Sequence, residues 1–491
     1  MSSHTINSIY APNIRLFNYH LKTVRLTNFT ERSLEIEFVT NYYQYLLNSY
    51  NILDQNSKPI YLKLREDFQD MLGSGLANFD LIFNPEGRGI CRIALPQKYK
   101  GFLYPQFLNN TYSFSLTLYH PQKSGDDEIS FSELSKLKPP EDFFAGISPG
   151  SQDETQSNRS KAFWGSTVFL SGFIAQNCPD TAENLKSTAD QLLKQFLGIE
   201  SLEEAPPFYE SGKFLGGYIY EYKSIFRQHR YGQILILLIF DEATTDKLND
   251  IQYDLPELFL YYQKNRQIFL DSRKEYRASQ DEIQQIEETI QKCITNIPTN
   301  VTSDLSEKDL KLLKREIKNL LDWSLGYSQR IRSLGNFQNT IEINRQNYLN
   351  TLTRMEVKSQ SDLTGWRDNA NHIFGMFQRQ IKVDLVYLQQ GERLLDTAIN
   401  TIRGLVEIDQ AERDRSLERQ IQAVGVGIAA GAIVASTSGL ITEPWQLPNR
   451  DRFLLPPHPF IIALVGSLFC SWGAWWVADK LIKKGRSDSN S

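Results

Sequence analysis

Residues 234–240 form a run of seven apolar side chains, and Asp241 and Glu242 follow it at once (ILILLIFDEATT). A carboxylate pair leaving a buried strand is the arrangement that holds Mg²⁺ and positions the attacking water in nucleotide hydrolysis. That chemistry needs a second part. A glycine-rich loop ending in Gly-Lys-Ser or Gly-Lys-Thr must cradle the phosphates with backbone N–H groups and the lysine. The only Gly-Lys pair is Gly212-Lys213; Phe214 follows it, and Pro207 sits where the first glycine belongs. Residues 234–240 therefore read as a buried strand, too short to cross a bilayer. Asp241 opens the turn that leaves it.

Other reactive side chains are dispersed. Asp241, Glu242 and His229 would serve as acid and base only if they lined one pocket. Arg227, His229 and Arg230 in FRQHRYGQ suit an anionic messenger, because guanidinium groups match phosphate and carboxylate oxygens; the alternative is solvated surface. The four cysteines (Cys91, Cys178, Cys293, Cys470) form no CxxC pair, and the six histidines form no HExxH. No metal site, disulfide framework or cofactor is expected, and no motif supports an enzyme. The net charge of −5 gives no basic excess for nucleic acid. Tyr42-Tyr43 and Tyr261-Tyr262 read as packing, not base stacking.

These residues need elements to hold them. Two regions with strand and helix patterns precede residue 255. Residues 1–148 contain NSIYAPNIRLFNYHL and TYSFSLTLYH, both strand-like, and FDLIFNPEGRGICRIAL, which reads as a hairpin turning at Pro85 to Gly87. Residues 149–161 (PGSQDETQSNRSK) are a polar linker. Residues 162–254 give the order strand, helix, strand, strand: STVFLSGFIAQ, TAENLKSTADQLLKQFL, GGYIYEYK, ILILLIF. The expected fold class is an α+β N-terminal region, a long helical stalk and a C-terminal two-helix transmembrane hairpin.

The stalk spans 255–422 and is rich in Glu, Gln, Lys, Arg and Leu. Three helices are expected, over about 256–295, 306–358 and from 363 onward. Pro298 and its Asn/Thr neighbours break the first from the second. Ser306 heads a capping box, and Ser361 or Asp362 can cap the third. Phe377, Ile381, Leu385, Leu388, Leu395, Ile399, Ile402 and Val406 recur at spacings of three, four and seven, a packed seam.

Two uncharged runs follow, 423–441 (AVGVGIAAGAIVASTSGLI) and 460–479, which ends WGAWWVAD apart from that closing aspartate. Nineteen helical residues span about 28 Å, close to the roughly 30 Å hydrocarbon core. The loop 442–459 holds five prolines, so a hairpin is expected. Trp445, Trp472, Trp475 and Trp476 suit the headgroup layer, with Lys480, Lys483 and Lys484 beside them in a basic tail, 480–491. The basic excess places both termini in the cytoplasm of a bacterial cell, with the spans in its inner membrane. Ala423, Gly427, Gly431, Ala435 and Gly439 form a small-residue stripe. It fits packing inside one hairpin or between subunits of a homo-oligomer. Ser436, Thr437 and Ser438 are candidate pore-lining residues.

This layout over residues 256–485 resembles the CorA-type two-transmembrane metal-ion transporters. That family carries Gly-Met-Asn at the outer end of its first span, where the asparagine holds hydrated Mg²⁺. Here the matching place reads Ser438-Gly439-Leu440-Ile441-Thr442-Glu443, and Gly375-Met376-Phe377 lies in the stalk. The resemblance implies either a CorA-like cation transporter or, as in relatives lacking the motif, a membrane effector gated by a cytosolic sensor. A non-conducting membrane scaffold is the third expectation. Expected partners are the lipid bilayer, further copies of the chain, and a small anionic ligand or protein on the cytosolic region.

Overall fold

The structure is a computed structural model. It describes residues 8–22, 29–54, 78–82, 89–95, 99–120, 128–145, 163–174, 181–296, 307–438 and 459–488. Two compact units divide the chain: Met1–Gln280 with Gln329–Gln389, and Asp281–Ser328 with Gln390–Ser491.

The first unit is built on a mixed sheet. In chain order its elements are β1 (Ser8–Leu21), α1 (Phe29–Ser49), β2 (Leu53–Asp54), β3 (Asn78–Asp80), β4 (Cys91–Ala94), β5 (Lys100–Leu103), β6 (Gln106–Leu108), β7 (Thr111–Tyr119), β8 (Glu128–Ser130), β9 (Phe163–Phe173), α2 (Ala182–Leu197), β10 (Phe208–Phe214), β11 (Gly217–Tyr222), β12 (Gln233–Ile239) and α3 (Glu242–Ile251). Three long helices follow: α4 (Leu255–Asn296), α5 (Glu307–Ser359) and α6 (Thr364–Ser438). The last helix, α7, is Pro459–Asp488.

The main path of the sheet runs β10-β11-β12-β9-β1-β7-β5-β4-β2. β1 pairs antiparallel with β7 on one side and with β9 on the other. Strands from the two expected α+β regions therefore share one sheet. β9 and β12 are parallel, since α2 carries the chain across. The segment read as a hairpin is split: β3 pairs with β6, and β4 with β5. The linker 149–161 lies outside the described residues.

Local chemistry sets the helix ends. The Thr181 hydroxyl accepts from the Asn184 N–H to start α2, and Gly198, at φ 64°, ends it in the left-handed conformation. Asp241 Oδ1 accepts from the Thr244 N–H at 2.8 Å and starts α3. Asp362 Oδ1 accepts from the Thr364 N–H at 2.8 Å at the head of α6. Period-two alternation then assigns the sheet faces. Ile14, Leu16, Val168, Leu170, Ile236 and Leu238 join one core with Tyr42 and Leu46 of α1 and Leu192 and Phe196 of α2. The opposite face meets α4, where Phe17 and Phe169 lie 5.2 and 6.3 Å from the Phe259 ring.

α4 lays four successive polar residues, Gln263, Lys264, Asn265 and Arg266, into buried positions. Gln263 Nε2 donates to the Ser166 carbonyl at 3.0 Å and to Thr167 Oγ1 at 2.9 Å. Lys264 Nζ donates to Asn110 Oδ1 at 2.6 Å. Arg266 donates to the carbonyls of Ser224 and Arg227 at 2.9 and 2.7 Å. Farther along the first unit, Phe269 stacks on Phe377 with centroids 4.1 Å apart. In the second unit Leu395, Ile399, Ile402 and Val406 of the seam pack with Ile286, Leu310, Leu313 and Leu320. One seam position departs from the pattern. Leu385 is only half-buried, and its neighbour Asp384 is buried in an ion pair with Arg273.

The expected transmembrane hairpin is corrected. Among the described residues no helix is long and apolar enough to cross a membrane. The CorA-like architecture, the inner-membrane location, the signal-gated pore or effector, the cation transporter and the membrane scaffold all rested on that hairpin and are not supported. Long helices and a mixed N-terminal sheet remain. Gly439 and Trp445 lie outside the described residues, and nothing is described of the side chains of Ala435, Ser436, Thr437, Ser438, Lys483 and Lys484.

Burial alone pushes the Lys264 amine down to about 8. The folded chain then releases this proton near pH 8, whereas the unfolded chain holds it to the ordinary lysine range, near 10.5. Unfolding takes up a proton between those values, so Lys264 adds stability as pH rises through that window and withholds it below. Urea unfolding of wild type and Lys264→Met should show their stability difference shifting in favour of wild type by about 1.4 kcal/mol per pH unit between pH 8 and 10. A pH-independent difference would contradict the assignment.

Candidate functional site

The face of β10–β12 turned toward α4 carries charge. Ile219, Glu221 and Lys223 follow the same side of β11 and its end, and Gln233 and Leu235 lie beside them on β12. Phe259 and Tyr262 of α4, Tyr348 of α5, and Trp366, Asn369 and Ile373 of α6 close over this face. The cavity between them holds about 110 Å³. All of these residues belong to the first unit.

Lys223 is the central charge and is 4% exposed. Its ammonium lies 2.8 Å from Glu221 Oε2 and sits over the rings of Tyr209 and Tyr262, 4.2 and 4.5 Å from their centroids. Burial pulls its pKa below the usual lysine range, and Glu221 opposes that shift. Glu221 also accepts from Gln233 Nε2. Gln233 Oε1 in turn accepts from Thr167 Oγ1 at 3.0 Å and from Gln263 Nε2 at 3.2 Å. The result is a chain of polar groups from the sheet into α4, each with a partner, as a low-dielectric interior demands.

The cavity rim is less settled. Glu210 accepts from Asn369 Nδ2, and Tyr209 donates to Asn369 Oδ1 at 3.3 Å. Burial first, and Glu221 second, lift the Glu210 carboxyl above its ordinary range. Burial, then Glu221, also lifts the Tyr262 phenol well above its own. The Tyr262 hydroxyl is buried and has no hydrogen-bond partner among the described residues. Trp366 stacks on Phe214 with centroids 4.7 Å apart and supplies a flat apolar wall. Chemically the cavity offers the unpartnered Tyr262 phenol, the Glu210 carboxyl and aromatic surface. The Lys223 amine is already committed to Glu221.

The residues singled out in the sequence fall elsewhere. Asp241 is a helix cap, and the Thr244 backbone N–H holds its carboxylate below the usual range. Among the described residues no hydrogen bond joins it or Glu242 to His229. Arg230 pairs with Glu204 at 3.0 Å on the surface. The Arg227 carbonyl receives Arg266. His229 Nδ1 accepts from the Tyr231 N–H at 3.3 Å, and burial first, then Arg230, lowers its pKa. None of these three residues lines the cavity. In the second unit the small-residue stripe faces α7. A Cβ on Gly427 would meet the Ser471 carbonyl at 3.1 Å and the Trp475 Cβ at 3.2 Å, and Ser467 Oγ donates to the Gly431 carbonyl at 2.7 Å. Ala423 is buried, Trp472, Trp475 and Trp476 are exposed, and Lys480 lies 4.6 Å over the Trp476 ring.

Among the described residues no group of three or more His, Cys, Asp or Glu could hold a metal ion. No protein-family profile and no curated protein matches this chain.

Lys223→Met leaves Glu221 buried without its cation. The expected cost is roughly 3–5 kcal/mol, read from chemical unfolding. Lys223→Met with Glu221→Gln should recover part of it, because the uncompensated charge is gone. A double variant no better than the single would place the cost in packing and not in charge.

Proposed function

We propose that the first unit is a small-molecule binding module, with the cavity between β10–β12 and α4–α6 as its binding site. The observation that carries this reading is the Tyr262 hydroxyl, buried and unpartnered among the described residues at the edge of an aromatic-walled cavity. An orphaned hydroxyl in such a place costs about 1–3 kcal/mol, and a bound ligand would recover it. The ligand best suited is small and flat, stacks against Trp366, and accepts a hydrogen bond at a polar edge. Binding, not catalysis, fits the committed state of the reactive groups: Lys223 is held by Glu221, and Glu210 by Asn369. A ligand here touches one sheet and three helices at once, so occupancy biases how those helices pack within the unit.

The test uses the full chain and a set of small heteroaromatic compounds, with Trp366 emission and amide hydrogen exchange as readouts. A binder should slow exchange in the segments carrying Tyr262, Tyr348 and Trp366. Tyr262→Phe should weaken it roughly tenfold, the worth of about one buried hydrogen bond. Gly365 lines the cavity, and a Cβ there meets nothing within 4 Å, so Gly365→Leu should fill the space with the fold intact and abolish binding. Binding that survives both substitutions, or a set in which nothing binds, rejects the reading.

A further inference from the structure

A second cavity lies on the same sheet face, nearer β1, and shares no lining residue with the first. It holds about 430 Å³. β9 and β12 run parallel and end together at Phe173 and Ile239, and both residues line it. α3 begins where β12 stops and covers it with Thr245, Leu248 and Asn249. The carboxyl ends of parallel strands are where open α/β sheets leave room for ligands. A strand irregularity enlarges that room. The β1·β9 register shifts between Tyr10 and Asn13, and Ala11 takes φ 43°, a left-handed conformation unusual for a residue with a Cβ.

Into this space faces Arg15, 2% exposed. Its guanidinium lies 5.8 Å from the Phe169 ring centroid, and Nη1 makes only a long contact to Ser171 Oγ at 3.4 Å. Nε has no hydrogen-bond partner among the described residues. Among the described residues no carboxylate pairs with it, and burial draws its pKa down to about 10. Among the described residues the Thr245 hydroxyl, a donor, and the Asn13 amide oxygen, an acceptor, also lack partners in this lining. Buried charges in proteins are paired. Among the described residues no group pairs with this charge, and the donors that could hold an anion, Arg15 Nε–H and the Thr245 hydroxyl, stand in one lining.

We propose that this cavity binds a small organic anion, a carboxylate or a phosphate on a flat apolar body, with Arg15 as its counter-charge. The guanidinium fork takes the anionic oxygens through its free Nε–H. The Thr245 hydroxyl donates to the same head group. Phe102, Tyr119 and Phe173 wall the body. Asn249 stands exposed at the mouth.

Titration of the full chain with benzoate, phenyl phosphate and neutral benzyl alcohol, followed by calorimetry and thermal melting, tests the proposal. Benzoate, phenyl phosphate or both should bind and raise the melting temperature, and the better of the two names the head group. Benzyl alcohol should do neither. Arg15→Met should weaken the anion roughly tenfold to a hundredfold, the range for hydrogen bonds to charged groups, with the unliganded melting temperature unchanged or higher. Should that variant fail to fold, Asn249→Trp closes the mouth from the surface without touching Arg15 and should abolish binding in a folded protein. The proposal is overturned if neither anion binds, if benzyl alcohol binds as tightly as benzoate, or if binding is undiminished in the variant that folds.

Discussion

Four adjacent polar side chains on one helix cannot all face water when the helix is covered on several sides. Gln263, Lys264, Asn265 and Arg266 are all buried, so the sheet beneath α4 must supply what water would have supplied. It does so at separate places: the Ser166 carbonyl and Thr167 hydroxyl for Gln263, Asn110 for Lys264, and two carbonyls of the β11–β12 connection for Arg266. Hydrophobic contact alone would tolerate a slide of α4 by a turn. These bonds do not, because a one-turn slide would carry the donors away from all of these acceptors at once. Asn265 is the exception. Both polar atoms of its amide lack partners among the described residues, a cost the other three must offset.

On the same sheet face α4, with α5 and α6, closes over one cavity and α3 over another. α4 and α3 cover a sheet face that is polar at Arg15, Glu221, Lys223 and Gln233, and a polar face does not pack to full density against aromatic side chains. Where partners are complete, as in the Lys223–Glu221–Gln233–Gln263 chain, the space is small. Where they are incomplete, around Arg15, it is larger. The opposite face shows the contrast: Ile14, Leu16, Val168 and Leu170 meet α1 and α2 in one continuous apolar core. One side of the sheet is built for cohesion, and the other leaves room for guests.

Much of the secondary structure was legible, and the reasons it was differ by element. β7, β9 and β12 announce themselves through alternation or a short apolar run, and α2 was read as a helix from the segment TAENLKSTADQLLKQFL. β10 (FYESGKF) was missed because an edge strand can be polar along most of its length. The union of the two N-terminal regions was hidden, since β1 and β9 are distant in sequence and no local pattern records such pairing. The candidate site was illegible for a related reason. Glu221 and Lys223 alternate with Tyr220 and Tyr222, which reads as a charged face turned to solvent, and only the docking of α4 buries it. Arg15 is concealed likewise between Ile14 and Leu16. At the far end, apolar composition invited a membrane reading, whereas among the described residues no helix is long and apolar enough to span one.

A sheet with an open flank can recruit strands from its neighbours, and β10 is the terminal strand of the main path. Its exposed residues are Phe208, Glu210, Ser211, Gly212 and Lys213, and its pairing with β11 is irregular between Phe208 and Glu210. Opposite charges on a kinked, glycine-bearing flank are poor templates for stacking identical chains side by side. The molecule thus carries, in one short and unremarkable segment, its own guard against fibrillar growth.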